Sequence, residues 1–345
     1  MARTASTANP KRDLYFRVLS YIAGFLLWGF SVLNGSATDL VVAAWTGKLN
    51  DGSPLKTSYT GLPFVDIPTA VLVAFFCPGT NGHDDGFQLF VVEAFSAFAV
   101  GFSWLYVEAS RPGQKPKWIT RVATWAVLWQ LFGAAMILPL YFGTHLKWTD
   151  REPLQKVTDV NRARALTPGF LLGVVAPTAI VMLPTWVPRS AEAHQTIVAV
   201  FMLSPFWVSG IILATTKVFA WFSSLSSSSR RNKGAATWVL LPTNPEVVNL
   251  ARMYLPLPPN GPIGITDNIT AGSWLFLQFD HIFISLSSLS WALLLLEKTP
   301  LRAQFGRGGL FLTLLVSALL IGPGATVSMA LYFREDHLVE NEKGY

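Results

Sequence analysis

The chain has 345 residues, of which 51% are hydrophobic and only 13% charged, and its formal net charge is +6. Soluble domains carry about 25% charged residues, so too little polar surface is present to coat a soluble globule of this length. Nucleic-acid binding is excluded as well, because the basic residues lie in loops beside apolar stretches and form no basic face interleaved with aromatics.

The charge deficit falls in blocks of about 20 residues, the length a helix needs to cross the hydrocarbon. Hydropathy predicts helices over residues 14–34, 60–78, 87–107, 118–141, 166–187, 195–222, 273–296 and 308–333. The first is preceded by Arg3, Lys11, Arg12 and Arg17, like the front of a signal peptide, but no small-residue cleavage site follows clearly, so it reads as a retained helix. The second is interrupted by Pro63 and Pro68 with Asp66 between them, which predicts a broken or partly re-entrant helix covered by protein or a cavity. A short acidic turn, Asn81 to Gly86, leads into the third. Between the sixth and seventh runs a long connection, residues 223–272. It is Ser-rich and basic at first, then apolar and Pro-rich, as in a segment lying on the membrane surface. No internal repeat is present, which argues against a transporter built from duplicated halves.

The expected fold is therefore all-α: a polytopic transmembrane helical bundle of about eight spans, forming a single domain over residues 1–345. An even count puts both termini on one face. The excess of Lys and Arg on that face favours cytosolic termini, with the protein integral to a membrane such as the endoplasmic reticulum. Of two N-x-[ST] sites, Asn34-Gly35-Ser36 and Asn268-Ile269-Thr270, Asn268 is then cytosolic.

Buried acids are the strongest chemical signal, since a carboxylate at bilayer depth costs roughly 2.5 kcal/mol or more on insertion scales. Glu93 lies six residues after Phe87 and Asp280 seven after Ser273, each about 10 Å inside its helix at 1.5 Å per residue. Both belong to odd-numbered helices that run the same way, so they share a leaflet and nearly a depth. Facing one cavity, they can divide the roles of acid and base; the plainer reading has each fixing helix packing through hydrogen bonds. Asp66 enters from the opposite face, either as a third acid or as a helix cap. Glu108 and Glu297 fall at helix ends beside basic loops, where surface pairing is expected. His281 adjoins Asp280 but lies about 100° round the helix, and it is grouped with Trp28, Trp104, Trp129 and Trp291 as a substrate-binding candidate. Trp28, Trp104, Trp125, Trp129 and Trp291 lie within spans, where ring faces can line a substrate site and steady a cation. With one cysteine, Cys77, and five scattered histidines, no metal or other cofactor is expected. Nucleophile, nucleotide-loop and haem motifs are absent, which leaves acid–base chemistry on an apolar substrate.

The length, the eight spans, the Gly61-Leu62-Pro63-Phe64-Val65-Asp66 lead into the second helix, the apolar run from Asp66 to Cys77 and the segment Phe90-Val91-Val92-Glu93 together resemble fungal integral-membrane meroterpenoid terpene cyclases of the ascochlorin/ascofuranone and macrophorin type. The resemblance implies a redox-neutral, metal-free cyclisation of a hydrophobic prenylated aromatic or polyketide substrate within the bilayer. An intramembrane acid, here Asp280, protonates an epoxide or terminal alkene, and Glu93 or water takes up the final proton. Two readings compete with it, a proton-coupled transporter of hydrophobic metabolites and a sterol-type double-bond isomerase.

Overall fold

The computed structural model describes residues 10–113, 115–150, 159–185, 187–225, 250–262 and 264–343. Helix α1, Pro10–Leu33, is followed by a short helix α2, Ser36–Thr46, and by α3, Pro63–Phe76. Next come α4, Asp85–Ala109, a single turn α5, Lys117–Thr120, and the pair α6, Val122–Phe132, and α7, Ala134–Thr149. Helix α8, Val160–Phe170, continues through a widened π turn at Leu171–Val175 into α9, Ala176–Met182. Helices α10, Ala191–Phe201, and α11, Ser204–Leu225, precede the short α12, Leu250–Tyr254. Three long helices close the chain: α13, Asn268–Leu296, α14, Leu301–Ile321, and α15, Pro323–Lys343. Among the described residues the β content is one isolated bridge, Lys48 to Pro54. The fold is an all-α, polytopic helical bundle.

Five helices are long and apolar enough to cross a membrane, and the pair α10 and α11, bent by 54°, is a broken span or a re-entrant loop that brings the number to six if it is one span. Two of the eight expected spans, 60–78 and 118–141, take other forms, and a third is divided. The apolar residues 60–78 yield the 14-residue α3, about 21 Å long at 1.5 Å per residue, which is shorter than the hydrocarbon. Residues 308–333 divide at Gly322, where φ is +82°. Residues 118–141 divide at Gly133 (φ 93°, ψ 137°), and the two halves fold back on each other. Trp125, eight residues before the break, packs edge-on against Tyr141, eight residues after it, with ring centroids 5.3 Å apart. Thus α6 and α7 form a helical hairpin that returns to the end it came from.

Side-chain pairs fix the directions of the other helices. Phe16 meets Phe142 near one end of α1, and the Trp28 indole donates to the Phe132 carbonyl near the other, so α1 runs antiparallel to α7. Contacts of Tyr15 with Ser290 and of Trp28 with Phe276 make α1 antiparallel to α13. Phe90 meets Trp274 and Trp104 meets Trp291, so α4 and α13 are parallel. The Trp104 indole donates to Ser328, and Arg334 pairs with Glu108, which sets α15 parallel to α4. Hence the start of α1 and the ends of α4, α7, α13 and α15 share one end of the bundle. Arg12 there reaches both Asp150, at 3.7 Å, and Glu297, at 3.5 Å.

At the opposite end lie the end of α1 and the starts of α4 and α13. Asn34 and Asn268 line one small polar pocket there, of about 200 Å³. Counting spans had separated Asn268 from that face. Arg252 of α12 pairs with Asp84 at the start of α4, so the part of the connection that leads into α13 lies at the Asn34 end. Residues 226–249 of that connection, which include most of its Ser-rich and basic part (223–233) and the start of its apolar, Pro-rich part, lie outside the described residues.

A buried ionic cluster lies at the Arg12 end. Glu108 is fully buried and takes Arg334, Arg111 (2.9 Å) and His145 (3.0 Å). The surface pairing expected of Glu108 is therefore replaced by an interior network, because α15 carries Arg334 inward to it. Glu297 pairs with Arg307 at 2.7 Å, as its place at a helix end suggested.

Candidate active site

A cavity of about 400 Å³ lies between α1, α2, α3, α4, the α6–α7 turn, α10 and α13. Its walls are apolar and rich in aromatics: Phe75 and Phe76 from α3, Phe95, Phe98 and Phe102 from α4, Phe201 from α10 and Phe276 from α13, with Trp28 and Trp129. Their register follows from helical spacing. Phe95, Phe98 and Phe102 recur at i, i+3 and i+7 and share one face of α4, and Phe276 and Asp280 are one turn apart on α13.

Asp280 is the one acid among the lining residues, and it is 3% exposed. Its Oδ1 accepts the amide of Ala135 at 2.5 Å. That amide belongs to the first turn of α7, where helix N–H groups have no intrahelical partner and the backbone dipole presents its positive end. The break at Gly133 supplies this helix start deep in the bundle. A Cβ at Gly133 meets Leu27 Cδ1 at 2.8 Å and Phe276 Cζ at 3.2 Å, so its positive φ and close packing both call for glycine. This break in the helix at membrane depth is covered by protein and the cavity, as bilayer energetics require.

Glu93 stands elsewhere. It shares depth with Asp280, as the parallel run of α4 and α13 dictates, but its carboxylate accepts the Tyr254 hydroxyl and lies 3.6 Å from His281 Nε2. The side chain is 37% exposed and absent from the cavity wall. Burial, and then the neighbouring Glu93, raises the pKa of the Tyr254 phenol above its ordinary value, which keeps it a donor. The shared chamber expected for the two acids is therefore not formed. The 100° step between Asp280 and His281 turns one residue to the cavity and the other to Glu93.

Asp66 is also outside the cavity. Its Oδ1 accepts from the Thr60 amide and hydroxyl, both at 2.8 Å, and its Oδ2 from the Gly61 amide at 2.9 Å. All that acceptor capacity ties the preceding loop to the first turn of α3; the N-cap position is Leu62, without a side-chain cap, so Asp66 is not the helix cap that the sequence suggested. Of the tryptophans, Trp28 and Trp129 line the cavity. Trp104 is bound to Ser328, and Trp291 stacks on Phe142 at 4.6 Å with its indole donating to His145. His281, grouped in the sequence with the substrate-binding residues, belongs to the Glu93 cluster. Among the described residues no three His, Cys, Asp or Glu side chains are grouped as a metal ion needs. Sequence reasoning missed Gly133, the Ala135 amide and the α4 phenylalanines. A glycine in the middle of an apolar run was the available signal for the first two, and the i, i+3, i+7 spacing for the third.

Comparison with known proteins decides the family. The CtvD domain matches residues 12–241 and 235–339. This chain belongs to the CtvD domain family. Its relatives within that family's reach include terpene cyclase DEP1 of Fusarium langsethiae, 27% identical over 361 residues, covering 92% of this chain and 96% of that protein. A terpene cyclase DEP1 of Alternaria brassicicola is 25% identical, covering 94% and 98%. Terpene cyclase ascI of Acremonium egyptiacum is 27% identical, covering 79% and 77%. No solved structure matches. The resemblance to fungal membrane terpene cyclases drawn from the sequence is thereby shown, and this CtvD-domain protein carries its buried Asp280 within that family frame.

Proposed function

We propose that this CtvD-domain protein is a membrane terpene cyclase that closes a ring on a prenylated aromatic or polyketide substrate, with Asp280 as the proton donor. The reading rests on one observation above all: a single carboxyl group set in the wall of a largely apolar, aromatic cavity and held by the start of a helix. Full-length likeness to proteins named terpene cyclases supports it.

In this mechanism the Asp280 O–H bond breaks as a new O–H or C–H bond forms at the substrate's epoxide oxygen or terminal alkene. The carbon cation that results is attacked by a neighbouring alkene of the same chain, and a C–C bond closes the ring. Apolar walls keep the acid neutral beforehand and keep water from quenching the cation. The Ala135 amide then stabilises the carboxylate left behind. Faces of Phe95, Phe98, Phe102, Trp129 and Phe276 steady the positive charge as it moves. A proton lost from carbon returns to Asp280, or a substrate hydroxyl captures the cation and releases its proton to Asp280. Either way the acid is restored, and substrate and product have equal mass.

The membrane setting belongs to the same proposal: an endoplasmic reticulum protein with the Arg12 end cytosolic. That end carries Arg111, Lys115, Lys117, Arg121, Lys147 and Lys298, whereas the described basic residues at the Asn34 end are Lys48, Lys56, Arg189 and Arg252.

The test is conversion by purified protein in detergent, with no gradient and no added cofactor. A prenylated phenol epoxide is expected to give a cyclic product of unchanged mass. No conversion, together with proton-driven movement of the same compound across liposomes, would overturn the cyclase reading in favour of transport. Run in heavy water, the assay also tells the two protonation sites apart, since deuterium fixed on carbon marks the alkene.

A further inference from the structure

Some residues line the cavity and at the same time face outward. Trp28 of α1 is 40% exposed, Val41 of α2 is 56% and Leu131 of α6 is 43%, and all three form part of the cavity wall. Residues with one face inside and one outside mark a mouth. This mouth is uncharged, and it continues on the outer surface into Phe132, Phe25 and Val32, all exposed and apolar. Trp28 is the nineteenth of 24 residues in a spanning helix and lies six residues, about 9 Å, short of Asn34. At that depth an exposed apolar surface of a spanning helix faces acyl chains and not water.

We propose that this mouth is a lateral portal through which the prenyl chain of the substrate passes directly from the bilayer leaflet at the Asn34 end into the cavity. The proposal rests on the cyclase reading and adds to it the route and the kind of substrate, an amphiphile already dissolved in the membrane. Three points carry it. The exposed side chains of the rim, Trp28, Val41 and Leu131, are apolar, with the half-buried Gln130 beside Leu131, whereas binding sites for water-borne ligands carry placed polar groups. The route is continuous, with apolar rim, aromatic wall and Asp280 in one cavity. The rim is also adjustable at one position. The Trp28 indole is tied to the Phe132 carbonyl at 3.0 Å and rests edge-on against Phe276 at 5.6 Å, so it spans from the hairpin tip to α13 across the opening. Trp28 is accordingly a residue that selects for chain thickness, and Asp280 sits beyond it.

The experiment uses full-length protein in liposomes, with a prenylated phenol epoxide partitioned into the lipid. Val41→Trp and Leu131→Trp narrow the mouth from opposite sides. Each is expected to raise KM for the lipid-borne substrate about fivefold or more, with a smaller change in kcat. Wild-type KM in both variants overturns the portal. Photolabelling of wild-type protein does not depend on how the variants fold: a substrate carrying a diazirine in its prenyl tail is expected to label peptides holding Trp28, Val41 or Leu131. Labelling confined to the loop at residues 47–62 overturns the lateral route. Asp280→Asn, run beside them, separates the two ideas. An inactive Asp280→Asn with unaltered KM in the rim variants sinks the portal and leaves the proton donor standing. An active Asp280→Asn with rim-dependent KM sinks the donor and leaves the portal.

Discussion

The Asp280 carboxyl, on α13, accepts the amide of Ala135, on α7, at 2.5 Å, although 145 positions separate the two residues. Asparagine at 280 keeps an acceptor oxygen for that amide but has no acidic proton to give. Asp280→Asn is therefore expected to lower turnover about 10²–10⁴-fold, the range for a general acid, while thermal unfolding in detergent stays near wild type. Turnover above a tenth of wild type removes Asp280 from the role of donor.

Glu93→Gln separates the depth argument from the cavity argument. The carboxylate is turned away from the cavity and held by Tyr254, and glutamine retains an oxygen for that hydroxyl. Turnover is expected within about threefold of wild type. A loss as large as that of Asp280→Asn shows that the two acids do meet during the reaction.

Gly133→Val tests the helix start that holds Asp280. A side chain there collides with Leu27 and Phe276 and must adopt a positive φ, so a cost of about 1–3 kcal/mol is expected from overpacking and backbone strain. The measurable result is a lower unfolding temperature together with loss of turnover beyond what the lost folded fraction explains.

In the interior at the Arg12 end, Glu108→Gln leaves Arg334 and Arg111 without their shared buried counter-charge. Breaking one partner of a buried ion pair costs about 3–5 kcal/mol. Denaturation in detergent micelles reads this directly, and an unchanged midpoint shows that water already reaches the network.

Orientation is open to a glycan reporter. Gly52→Thr completes an acceptor at Asn50, an exposed residue in the loop between α2 and α3. Glycosylation is expected there in microsomes, as a mobility shift removed by an endoglycosidase. Gly113→Asn with Lys115→Thr builds an acceptor at the opposite end of the bundle and is expected to stay unmodified. The reverse pattern inverts the topology.

The all-α membrane class and the parallel course of α4 and α13 were legible because apolar blocks of spanning length and the depth of Glu93 and Asp280 are one-dimensional properties. Facing was less so. A 100° step per residue decides whether an acid sees a cavity, and hydropathy around Asp280 and His281 is the same on both sides. The hairpin was hidden because Gly133 interrupts an otherwise continuous apolar run, and hydropathy does not register a positive φ. Glu108 was misjudged because its partner Arg334 lies 226 positions away, beyond the reach of any local pattern. Asp66 was read as a cap before Ile67-Pro68, but it lies inside the first turn of α3, and its carboxylate accepts from groups five and six residues back in the loop.

Because α6 and α7 turn back at Gly133, the segments on either side of the apolar residues 118–141 emerge together: Arg111 joins Glu108, and Asp150 joins Arg12, at one end of the bundle. Reporter enzymes fused after residue 110 and after residue 150 will accordingly register the same compartment. A truncation series stepping through that stretch will record no switch, and a map drawn from hydrophobic blocks alone will place one there.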